Sequence, residues 1–162
     1  MKDYLYKATG ITLALTYLTL LVTVHALLRL TLGLATDLAT RQTIAWGLGL
    51  LVVTTPLWWL HWRWMHWQLA TATPAMRQAF RNYSLVIVVA ALFLLFASAG
   101  IGVAVLARLA LGLLTDSVRG WAQSLSAVTA MLAAAAIWYL HWGYIVSDLP
   151  RQAQRGLVGA HR

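Results

Sequence analysis

The sequence contains no cysteine and no glutamate, and only four aspartates in 162 residues. Without cysteine there are no disulfides, thiolate metal sites, iron–sulfur clusters or covalent C-x-x-C-H haem attachment. With so few carboxylates, paired-carboxylate catalysis and carboxylate-bridged metal sites have almost nothing to be built from. Charge of either sign is sparse: 10% of residues are charged, while 61% are hydrophobic. A soluble domain is nearer half apolar and a quarter charged, which argues against an ordinary cytosolic enzyme and against disorder. There is no Walker loop. Gly100-Ile101-Gly102 lies inside an apolar run and is no dinucleotide fingerprint. A Ser/His/Asp set is implausible, because Asp3, Asp37, Asp116 and Asp148 all flank the apolar runs. The chain is expected to be non-enzymatic.

What remains is the composition of a membrane protein. Four runs lack Asp, Lys and Arg: Ala8 to Leu28, Gln42 to Trp62, Asn82 to Ala107 and Gly120 to Ser147. Crossing a bilayer core takes about 20 apolar residues in a helix, and each run is long enough. The ten-residue alternation of an outer-membrane barrel is absent. The expected fold is all-α, an integral membrane four-helix bundle. The first run is too long for a cleaved signal peptide, and no small-x-small site follows before Arg29, so it is expected to stay in the mature protein.

Basic residues orient the spans. Lys2, Lys7, Arg63, Arg77, Arg81, Arg151, Arg155 and Arg162 fall on one side, and Arg29, Arg41, Arg108 and Arg119 on the other. The positive-inside rule then places both termini in the cytoplasm, in a bacterial-type inner membrane. Trp58, Trp59, Trp62, Trp64, Trp67, Trp138 and Trp142 read as an inner aromatic belt, and Trp46 and Trp121 as an outer one. The net charge of +8 points to anionic lipid headgroups, not to nucleic acid.

The chain also repeats itself. At an offset of 79 residues, Leu27 to Asp37 (LLRLTLGLATD) falls on Leu106 to Asp116 (LARLALGLLTD), with eight of eleven positions identical. With one residue inserted, Trp58 to Trp62 falls on Trp138 to Trp142. Two parallel two-helix repeats are expected, related by a pseudo-twofold axis along the membrane normal. The divisions are a first hairpin over 1–67, a cytoplasmic linker over 68–81, a second hairpin over 82–148 and a basic tail over 149–162.

Thr36-Asp37 and Thr115-Asp116 fit helix N-caps. Asp37 is spaced to pair with Arg41, and Asp116 with Arg119. Arg29 and Arg108 end their spans and can snorkel outward; a quinone or ion site on these Arg–Asp corners is the sharper reading. Thr9, Thr12, Thr16, Thr19 and Thr23 form a heptad seam on span one. Small and hydroxyl residues of this kind let helices approach closely. Val88, Ala91, Leu95, Ser98 and Gly102 hold the corresponding line on span three, and Ser126, Ala130 and Ala134 a similar one on span four. A threonine conduction path is the alternative, but no acidic residue lies in mid-membrane to serve it.

His61 and His141 occupy equivalent places in the repeat. A pseudo-twofold bundle could bring them together as axial ligands of a b-type haem, or one of them could ligate a chlorophyll-type pigment. An aromatic interface accommodates a histidine equally well, so no cofactor is expected. His25 should lie at the opposite membrane depth. His66 and His161 should face solvent or headgroups.

The pattern Pro56 to Trp64 (PLWWLHWRW), with its weaker copy Trp138 to Tyr144, resembles a family of bacterial four-helix membrane proteins of unknown function. Gly143 replaces the arginine in the second copy, and no proline precedes its aromatics. Such proteins are similar to small extra membrane subunits that accompany photosynthetic and respiratory assemblies, including the quinol-oxidising alternative complex III. The resemblance implies a non-catalytic accessory subunit, with other membrane subunits of a large complex and anionic lipids as partners. A haem- or pigment-binding electron carrier using His61 and His141, a small transporter or channel, and a lipid-organising protein are the other readings.

Overall fold

The computed structural model describes residues 2–114 and 116–159, with side chains over 6–69, 71–114 and 116–146. Thr115, His161 and Arg162 lie outside the described residues, as do the side chains of Lys2, Asp3, Asp148, Arg151 and Arg155. The described residues form four helices: α1 (Lys2–Thr31), α2 (Leu38–Ala70), α3 (Pro74–Ala110) and α4 (Ser117–Gly159). They include no strand. Each helix is long and apolar enough to cross a membrane, which is the architecture of a multi-pass membrane protein.

The helices begin and end where local chemistry requires. α1 stops at Gly33, whose φ of +69° favours a residue without Cβ. Gly33 N–H donates to the Leu30 carbonyl at 3.1 Å and Leu34 N–H to that of Arg29 at 2.8 Å. This is a Schellman motif. α3 stops in the same way at Gly112 (φ +67°). There Gly112 N–H donates to Leu109 at 3.1 Å, and Leu113 N–H to Arg108 at 2.9 Å. The restarts are capped by carboxylates. The Asp37 Oδ1 accepts from the Thr40 N–H at 3.3 Å and from the Thr40 hydroxyl. Asp116 Oδ1 accepts from the Arg119 N–H at 3.0 Å.

Two local expectations change. The connection expected over 68–81 shrinks to residues 71–73. Thr73 caps the Met76 N–H at 3.3 Å and Pro74 stands at the start of α3, so this Thr-Pro pair is a helix start and not a loop. Asp37 forms no ion pair with Arg41; its Oδ1 accepts from Thr40 instead. The one ion pair among the described residues is Arg119 Nε to Asp116 Oδ2, 3.6 Å apart and exposed.

Packing is uneven. α3 lies along α4, α1 along α2, and α1 against α4, whereas α2 makes no comparable backbone approach to α3 or α4. A pseudo-twofold relation between the hairpins would match the α1–α4 contact with an equal α3–α2 contact, and the helices do not form one. Tyr17 anchors the central pair by donating to the Ala130 carbonyl at 3.4 Å. The small-residue lines lie at the helix contacts: Val88, Ala91 and Ser98 are buried, as are Ala130 and Ala134, and a Cβ on Gly102 would stand 3.6 Å from that of Ala127. Only the ends of the threonine line, Thr9 and Thr23, are sealed from solvent. The hydroxyls of Thr12, Thr16 and Thr23 donate back to carbonyls of their own helix. That satisfies each polar group inside an apolar span. Trp46 and Trp121, by contrast, are exposed.

Candidate functional site

The Tyr6 end of α1, the ends of α2 and α3 that flank their connection, and the His141–Tyr144 stretch of α4 meet at one end of the bundle, and an aromatic cluster closes that end. Its buried core is Trp62, Met65 and Phe80, with Tyr6, Leu69, Tyr83 and Tyr144 packed on it. The inward positions of α2 are Trp62, Met65, His66 and Leu69, spaced three, four and seven residues from the first. That is one face of a helix. Trp62 meets Phe80 at 6.0 Å between ring centroids and His141 at 4.5 Å. Phe80 stands edge-on to Tyr144 at 4.3 Å. All four helices contribute, so the far end of α2 is held by side chains although its backbone stays apart.

The histidines divide by face. His141 is fully buried, beside Trp62 and Tyr83. His66, expected to face solvent or headgroups, instead packs on Trp62, Phe80 and Tyr144 at 4.3, 5.6 and 5.5 Å. Depth alone placed it at the surface; its position around the helix turns it inward. His61, one residue before Trp62, is half-exposed and binds the Leu57 carbonyl at 2.7 Å. His66 Nδ1 binds the Trp62 carbonyl and His141 Nδ1 the Ile137 carbonyl, at 2.9 and 2.8 Å. A carbonyl only accepts, so in each ring Nδ1 carries a hydrogen.

A bis-histidine haem needs His61 and His141 to face one another across a gap. The ring that meets His141 is Trp62, not His61. Neither His61 nor His141 lines the cavities of about 840, 570 and 310 Å³. His141 Nε2 does lack a partner, as do the neighbouring Tyr83 hydroxyl and Ser84 Oγ. Counting from the glycine turns explains the mismatch. Trp62 follows Gly33 by the same number of residues as His141 follows Gly112. By that count the counterpart of His141 is Trp62, and His61, one residue earlier, sits off the inward face.

A second site lies at the opposite end, where the glycine turns are. There, where α2 and α3 make no close backbone approach, lies a cavity of about 840 Å³ lined by all four helices. Leu21, Val22, Ile101, Val105, Ala127 and Ala130 form apolar wall, while His25, Ser126, Gln123, Arg29 and Asp37 supply polar groups. His25 Nδ1 lies 3.0 Å from Ser126 Oγ. A second, smaller cavity of about 310 Å³ shares His25, Arg29 and Gln123. Sequence reasoning sets His25 aside as a poor partner for His61. Its helical register with Leu21, Val22 and Arg29 is the available signal, but the partners on α3 and α4 have no trace in local sequence.

Asp37 is the titratable group of this end whose surroundings set its charge. The Thr40 hydroxyl holds its carboxyl below the usual carboxylate range, and Arg29 adds a smaller push in the same direction. No group of three or more His, Cys, Asp or Glu residues among the described residues could hold a metal ion.

Set against protein-family models, curated proteins and solved structures, the chain matches none. The resemblance carried by Pro56 to Trp64 therefore rests on those residues alone.

Proposed function

We propose that the chain is a non-catalytic integral membrane subunit of a larger bacterial energy-transducing complex, respiratory or photosynthetic and quinol-linked. In this reading it sits in the inner membrane with both termini in the cytoplasm, as a duplicated hairpin packed against partner subunits and anionic lipid. The supporting observation is the isolation of α2. That helix follows α1 alone over most of its length and leaves Trp46, Val52, Val53, Trp59 and Leu60 exposed. A helix whose apolar surface is so little used internally is suited to meeting lipid and neighbouring helices. The basic residues Arg63, Arg77 and Arg81 gather at the aromatic end, where anionic headgroups would meet them.

Mild-detergent extraction of native membranes, native-size separation and mass spectrometry test the reading. Co-migration with a large redox or photosynthetic complex is expected. Migration alone, near the size of a monomer or dimer, overturns it. No cofactor belongs to the proposal, and purified protein should be colourless. A Soret band abolished by His141→Ala would reverse that part.

A further inference from the structure

We infer that the cavity between the helices at the glycine-turn end is a binding site for a neutral, hydroxyl-bearing amphiphile, whose hydroxyl donates to His25 Nε2. Such a site does not require the subunit role, since a chain that migrates alone could still hold this ligand.

Hydrogen-bond accounting fixes the histidine first. The Ser126 hydroxyl donates its one hydrogen to the Ala122 carbonyl at 2.8 Å. Toward His25, 3.0 Å away, its oxygen can then only accept. With the Ser126 hydrogen committed to Ala122, a neutral His25 carries its hydrogen on Nδ1 and leaves Nε2 as a lone-pair acceptor, and this is the tautomer assigned to it. Among the described residues Nε2 has no hydrogen-bond partner, and it is not one of the sealed, unpartnered atoms. It is therefore open to a visitor. A serine on α4 fixes the tautomer of a histidine on α1, and both side chains line the same cavity.

The cavity defines the rest of the ligand. Its volume of about 840 Å³ is within the usual range for small-molecule sites, roughly 300–1,000 Å³. The apolar wall of Leu21, Val22, Ala26, Ile101, Val105 and Ala130 suits an alkyl or ring body. At the polar end Arg29 and Asp37 offset one another in charge, and the Gln123 amide can donate and accept. A head group that donates one hydrogen, accepts another and carries no net charge satisfies these groups. The walls belong to spans apolar enough to lie in a bilayer, so the ligand is membrane-soluble. Two natural sources share this chemistry: a hydroquinone and an uncharged lipid alcohol such as a monoacylglycerol.

The test titrates delipidated full-length protein, read by native mass spectrometry. The probes are a decyl benzohydroquinone, a monoacylglycerol, the O-methylated form of each, and phosphatidylglycerol. One of the two hydroxyl-bearing probes is expected to bind at one per chain, and which one identifies the source. Its O-methylated form should bind three- to ten-fold more weakly, as expected for one lost hydrogen bond of about 1 kcal/mol. His25→Leu should erase that difference. Equal binding of the methylated probe to the unaltered protein would overturn the assignment without recourse to any variant. So would retention of phosphatidylglycerol alone, or of neither neutral probe. Ser126→Ala frees the tautomer and should weaken the hydroxyl preference while leaving the cavity walls in place; an unchanged preference would count against the tautomer assignment.

Discussion

Gly47 and Thr23 compete for one volume: a Cβ on Gly47 would overlie the Thr23 hydroxyl and stand 3.1 Å from its Cβ. Here α1 and α2 press closely, which explains why Thr23 is sealed from solvent. Gly47→Ala should cost about 2 kcal/mol through overpacking. Thr23→Ala in the same chain should recover part of that loss. Gly49→Ala, with nothing within 4 Å of its would-be Cβ, should be neutral or slightly stabilising. Thermal unfolding of the four proteins in one detergent checks this. Equal losses at positions 47 and 49 would refute the close contact.

The two glycine turns make a second prediction. Gly33 and Gly112 hold nearly the same left-handed backbone, and a Cβ added at either would meet nothing within 4 Å. Substitution is therefore strained by conformation, not by collision. Gly33→Ala and Gly112→Ala should each cost about 1 kcal/mol, with asparagine milder than valine at both positions. Unfolding temperatures of the single and double variants measure it, and additivity is expected because the turns are separate structures.

Acid should loosen the glycine-turn end. The Thr40 hydroxyl lowers the carboxyl of Asp37 below its ordinary value. The folded state therefore favours the anion, and its contribution is complete above the ordinary carboxylate range. It fades as pH falls through the lowered value. Unfolding temperature should decline on titrating from about pH 6 to about pH 3, and Asp37→Asn should flatten part of that slope. An identical slope in the variant would show that Asp37 is not the group responsible.

At the other end, packing should outweigh polarity. His141 and Phe80 are completely buried, and truncating either to alanine should cost about 3–4 kcal/mol. His141→Phe keeps a ring against Trp62 and removes the unpartnered Nε2, so it should cost less than about 1.5 kcal/mol. Chemical or thermal unfolding distinguishes the two. If phenylalanine proves as damaging as alanine, the Nδ1 bond to Ile137, and not ring packing, is what position 141 supplies.

The spans, the carboxylate caps and the glycine stops are legible in the sequence because each depends on residues a few positions apart. Leu30 to Asp37 shows both a stop and a restart in eight letters. The azimuth of each side chain is less legible where aromatics crowd together. Trp58 to Trp67 reads as one interfacial belt, yet Trp62 and His66 turn inward while Trp59, Trp64 and Trp67 are exposed. A three-four spacing through Met65 and Leu69 separates them. The cavity is beyond reach for a different reason. It lies where α2 and α3 make no close backbone approach, and no pair of residues encodes a missing contact.

That missing contact also gives the molecule a direction. At the Trp62–Phe80 end the four helices share a core; at the Gly33–Gly112 end they share a hollow. Stiffness is therefore polarised along the helix axes, because opening is easiest where buried apolar contacts are fewest. The bundle is thus closed by packed rings at one end and hollow at the other.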